Sequence, residues 1–111
     1  MIVTHKIEYY NIVIISDYAK GGGYQMGYLH LYGENSKYLG YLGIIKNGKV
    51  LPSNIQQQDG TLNIYFHELE LQTILDTFKK PNPIFVKFNT DLKSGSLVIG
   101  KYDIKTNELA A

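Results

Sequence analysis

The sequence predicts an α+β fold: a mainly antiparallel β meander of about six to seven strands, closed as a sandwich or half-barrel, with one amphipathic helix near residues 69–80. Three observations predict it. Most of the chain is written in short runs of β-branched and aromatic residues separated by turn residues. A single stretch changes to helical spacing. Strands do not alternate with helices, as a parallel doubly wound sheet would require. The chain has 111 residues, 44% hydrophobic and 19% charged, with a formal net charge of +1. It is long enough for one core and too apolar to remain unfolded, so residues 1–111 are read as a single β-rich domain.

Residues 7–18 are expected to form the central strand of the sheet, because Ile12-Val13-Ile14-Ile15 is apolar on both faces and such runs are usually covered on both sides. Ala19-Lys20-Gly21-Gly22-Gly23 then makes a flexible loop. Residues 24–33 and 38–46 are the next two strands, joined by Glu34-Asn35-Ser36-Lys37. Asn47-Gly48 is a hairpin signal that returns the chain into a strand at Lys49-Val50-Leu51, which Pro52 ends.

Beyond the turn pair Asp59-Gly60, residues 61–67 alternate, with Leu62, Ile64 and Phe66 on one face and Asn63, Tyr65 and His67 on the other. Leu71, Ile74, Leu75 and Phe78 then fall on one side of a helix. Glu68 and Glu70 at its start and Lys79-Lys80 at its end suit the helix dipole, and Pro81 and Pro83 stop it. Residues 82–90 and 96–104 form a last hairpin, and the tail 105–111 frays.

If Gly33 pairs with Tyr38, the register of the hairpin 24–46 can be written out. Tyr28 then lies opposite Gly43 and His30 opposite Tyr41. One face carries Leu29, Leu31, Leu42 and Ile44. The other carries Tyr24, Met26, Tyr28, His30 and Tyr32 against Leu39, Tyr41, Gly43 and Ile45. Three uses of this tyrosine face compete: a second core layer, a subunit or partner interface, and a platform on which rings stack a sugar or nucleobase.

The composition narrows the chemistry. All eleven basic residues are lysine, so the planar fork that binds phosphates and carboxylates through paired hydrogen bonds is missing, and DNA binding is not expected. There is no cysteine, hence no disulfide and no thiolate, which suits a reducing, cytoplasmic setting. The longest apolar run, Ile12 to Ile15, is far short of a membrane span. Lysine, asparagine and isoleucine usage suggests a low-GC bacterial or phage source.

His5, His30 and His67 are not spaced to give a metal two ligands from one element, the acids are scattered singly, and no serine elbow is present. Lys20-Gly21-Gly22-Gly23 fails as a phosphate loop because the lysine precedes the glycines and a strand follows. No catalytic set, metal or cofactor is therefore expected. The reading is a small non-enzymatic binding protein that self-associates and binds a partner protein or small ligand through Tyr24, Tyr28, His30, Tyr32, Tyr41, Lys20, Tyr65 and His67. One alternative is a sequestering protein for a nucleotide-like or sugar-like molecule, with Lys20 meeting negative charge. Another is a small hydrolase or isomerase with His30 or His67 as general base.

Overall fold

The computed structural model describes residues 1–103 and 108–110, and the side chains of all of these except residue 21 and those from 101 onward. In chain order the strands are β1 (Ile2–Ile7), β2 (Tyr9–Ile14), β3 (Gln25–Tyr32), β4 (Tyr38–Ile45), β5 (Ile55–Gln56), β6 (Leu62–His67), β7 (Ile84–Asn89) and β8 (Ser94–Ile99). A short pair follows, β9 (Lys101–Asp103) and β10 (Glu108–Ala110), and the helix α1 is Leu71–Phe78. A five-stranded sheet has the order β2-β3-β4-β6-β5, and a three-stranded sheet the order β1-β7-β8. Among the described residues the fold is α+β, built from two larger, mainly antiparallel sheets, the short β9–β10 pair and one α-helix.

The two sheets share one core. On the smaller sheet Ile7 is level with Ile84, and Phe88 and Val86 point the same way. They meet Leu29, Leu31, Leu42, Ile44, Leu62 and Ile64 from the larger sheet. Gly95, level with Phe88, lets the sheets approach: a Cβ there would meet the Ile64 side chain at 2.6 Å. The helix presents Leu71, Ile74, Leu75 and Phe78 to the same cluster, as its spacing predicts, and the Phe78 ring stacks on Tyr10 at 4.4 Å. Burying a side chain of this size stabilises the fold by about 1.5–3 kcal/mol, so these rows decide the architecture.

The expected central strand at 7–18 is corrected. The chain leaves one sheet after Ile7 and enters the other at Tyr9, with Glu8 at the corner. Inward side chains are the odd residues up to Ile7 and the even residues from Tyr10, a change of parity that a strand makes when it switches sheets. The second half, β2, lies at the margin of the five-stranded sheet, where Ile12, Val13 and Ile14 are 41%, 42% and 77% exposed. The apolar run is an edge strand.

A second correction concerns Asn47-Gly48. The turn forms, with Gly48 at φ 82° and Lys49 N–H donating to Lys46 O, but no strand follows at Lys49-Val50-Leu51. The free side of β4 is taken by β6, which pairs with it in parallel, Leu42 level with Ile64. Asn47 ties this loop to the helix start: its N–H donates to Glu68 Oε1 and its Oδ1 accepts from Leu69 N–H, both at 3.1 Å. The hairpin of this region is instead β5–β6 around Asp59-Gly60, where Asp59 Oδ1 accepts from the N–H and Oγ1 of Thr61.

The last hairpin forms between β7 and β8, but its second strand runs Ser94–Ile99 rather than 96–104, and Lys101–Asp103 leaves β7 to pair with β10. Ile104, which the sequence reading includes in it, and residues 105–107 and 111 lie outside the described residues. Within the expected frayed tail, Glu108–Ala110 pairs with Lys101–Asp103.

Candidate functional site

The core hairpin keeps the register that its sequence predicts: Tyr28 is level with Gly43, and His30 with Tyr41. Near each end one extra residue enters, Met26 on β3 and Leu39 on β4, so that Gln25 pairs with Ile45 and Tyr32 with Tyr38. These irregularities sort the side chains. Leu39 turns inward and is buried, Met26 packs against the core, and Tyr38 and Gln25 move to the outer face. Met26 and Leu39, expected on the tyrosine face, are thus core residues.

Strand glycines make both irregularities possible. Gly40 follows the extra residue Leu39 with φ 127°, and a Cβ there would run into the Leu62 backbone. At Gly27 a Cβ would strike Val13 O. A glycine inside a strand pattern is the signal of such a bulge or close approach.

The outer face of the five-stranded sheet then carries a continuous set of seven rings. Tyr9 stacks on Tyr32 at 4.7 Å, Tyr32 touches Tyr38, and Tyr38 touches His30. His30 lies parallel to Tyr28 at 5.7 Å, Tyr28 meets Tyr41 edge to face at 5.1 Å, and Tyr41 meets Tyr65 the same way at 6.0 Å. Such contacts contribute about 0.5–1.5 kcal/mol each beyond their buried area. The ring seated on Gly43 is that of Tyr65, at 2.7 Å from where a Cβ would lie. Tyr28, level with that glycine, leans on Tyr41.

The polar tips are paired among themselves. His30 Nδ1 and Tyr38 Oη share a hydrogen bond of 2.7 Å, and Tyr41 Oη and Tyr65 Oη one of 2.9 Å. Partial burial, reinforced by the bond to Tyr65, raises the Tyr41 phenol well above its ordinary pKa. Burial also raises that of Tyr38, with the neighbouring Tyr32 and Asp59 adding to it. These two phenols, Tyr38 and Tyr41, therefore stay neutral. The other strand residues on this face are Asn11, Val13, Gln25, Gly43, Ile45, Ile55, Asn63 and His67, so its strands present no lysine or carboxylate there. Four strands by three residue levels make the patch about 15 Å by 13 Å.

Of the residues singled out from the sequence, Tyr28, His30, Tyr32, Tyr41 and Tyr65 come together in this patch. Tyr9 and Tyr38 join them without having been foreseen. Tyr24, Lys20 and His67 stand apart. Tyr24 lies beyond the start of β3, at φ 53°, with Lys49 Nζ 4.2 Å above its ring. Lys20 is in the turn Tyr18–Gly21, paired with Asp17 at 3.5 Å. His67 donates from Nε2 to Lys49 O at 2.7 Å. It is level with Ile45, four residues along β4 from the level of His30, about 13 Å away along the strands. The two histidines do not converge on one site.

Among the described residues no three His, Asp or Glu side chains are grouped to hold a metal ion, and no helix is long and apolar enough to cross a membrane. Compared with protein-family models, with curated proteins and with solved structures, the chain matches none.

Proposed function

We propose that this chain is a non-enzymatic binding module that self-associates, and that the outer aromatic face of its five-stranded sheet is the contact surface for a partner protein, another copy being the first candidate. The observation that carries the reading is the set of seven mutually touching rings on an uncharged, open sheet face. Interface centres are rich in tyrosine and poor in charge, and ring side chains lose little conformational entropy when covered. The patch is the size of an interface centre, with Tyr28 and Tyr41 in its middle. We also read the protein as cytoplasmic and of bacterial or phage origin, on its zero cysteines and its lysine, asparagine and isoleucine usage.

A neutral sugar or nucleobase lying on the parallel Tyr28 and His30 rings is the second reading. A phosphate-bearing ligand gains less support, since Lys20 is engaged with Asp17 away from the rings. Native mass spectrometry of gently purified protein tests the proposal. The wild type is expected as multiples of 12.6 kDa or with retained extra mass, and the double variant Tyr28→Ala/Tyr41→Ala as a species no larger than a pair, without extra mass and with unchanged circular dichroism. The same species from both proteins, or loss of folding in the variant, would contradict it.

A further inference from the structure

We infer that a second copy of this chain pairs with the free edge of β2, strand against strand, joining the two five-stranded sheets into one continuous sheet. Among the described residues β2 has β3 as its one neighbour. Ile15 N–H donates to Met26 O at 2.9 Å, and by strand alternation Asn11 and Val13 also turn their backbone groups toward β3. Tyr10, Ile12 and Ile14 therefore aim theirs outward. The register with β3 is unbroken over six residues, with no bulge, proline or charged side chain between Tyr9 and Ile14. Those are the devices that normally protect an edge. At the opposite margin β5 has two residues, too short to invite pairing.

The occupant follows from the strand itself. Under a two-fold axis at Ile12, antiparallel pairing sets Ile12 against Ile12, Tyr10 against Ile14 and Asn11 against Val13, apolar or neutral at every position. Charge does not oppose it, because β2 carries none and each chain has a net charge of +1. Beside the edge lies a groove of about 170 Å³, lined by Ile12, Ile14, Met26, Leu29, Glu68 and Leu71, and Ile14 keeps 77% of its surface exposed. The joined sheet also places two aromatic patches side by side, which doubles the contact face proposed above. That consequence rests on the proposed function, whereas the pairing rests on β2.

A six-residue strand makes a small contact, so the pair is concentration-dependent. Amide hydrogen exchange on the full chain, read at high and low protein concentration beside sedimentation, tests it. The expected result is a species of twice 12.6 kDa in which the Tyr10, Ile12 and Ile14 amides exchange about tenfold more slowly than in dilute protein. Ile14→Lys should remove both effects with circular dichroism unchanged. Ile12→Pro deletes an outward N–H without touching the β3 ladder and should do the same. Tyr28→Ala/Tyr41→Ala should leave the β2 protection in place, so a failure of the aromatic face reads separately. A protein monomeric at every concentration, a dimer with unprotected β2 amides, association indifferent to both edge variants, or protection appearing only with a different protein would each overturn the inference.

Discussion

The two faces of the five-stranded sheet are cut from the same strands, yet water treats them oppositely. On the inner face Leu29, Leu42 and Ile64 are almost completely removed from solvent, because a second sheet and a helix lie over them. On the outer face Tyr28, His30, Tyr32, Tyr41 and Tyr65 are half-buried, and what covers each ring is the next ring. Inner burial is tertiary and holds the fold together. Outer burial is local to the sheet, which leaves a flat, neutral surface that the core does not need.

The largest way to break the comparison is to jam the device that sorts the faces. Gly40→Ala should cost about 3–5 kcal/mol, since φ 127° strains any side chain and the Cβ meets the Leu62 backbone; urea unfolding reads it. Leu42→Ala, on the inner face, should cost about 2–5 kcal/mol by the cavity it opens. Tyr28→Ala, one strand over on the outer face, should cost only about 1 kcal/mol. Equal losses from the last two would mean that the outer rings are core.

Smaller effects come from titration. Burial, aided by Lys37, lowers the pKa of His5 on β1 below its ordinary 6.5. The folded state thus favours the neutral ring. Its contribution to stability is present above about pH 6.5 and lost as pH falls through the folded value. The urea midpoint should drop between neutral and mildly acidic pH, and drop less in His5→Gln. The raised Tyr41 phenol has the opposite sign: its contribution is present below the ordinary value of 10.0 and is lost as pH rises through the folded value. An ultraviolet titration should show tyrosine that ionises only as the protein unfolds, and less of it in Tyr41→Phe.

What could be read beforehand depended on local pattern. The helix and the inner row of β6 follow from spacing alone, because an amphipathic stripe has one way to be buried. The middle of the β3–β4 register was legible too, although the Gly33–Tyr38 pairing from which it was written is not made: Tyr38 is level with Tyr32, and Gly33 N–H donates to Lys37 O. The bulges were not, although Gly27 and Gly40 stood inside strand patterns as their signal; without them Tyr38 and Leu39 exchange faces. Nor could the run Ile12 to Ile15 reveal its place. Four apolar residues in a row hide the parity change at Glu8, and they look alike at the centre of a sheet and at an unguarded edge. Parallel pairing of β4 with β6 was masked in turn by Asn47-Gly48, whose turn forms but leads into a loop held by Glu68 and Leu69.

The most direct test of the account is hydroxyl-radical footprinting of the protein in its assembled and dissociated states. If the outer face is the contact surface, Tyr28, Tyr32 and Tyr41 lose reactivity on assembly, while Tyr18, in the turn beside Asp17 and off the patch, does not change. Outer rings that react equally in both states would contradict it.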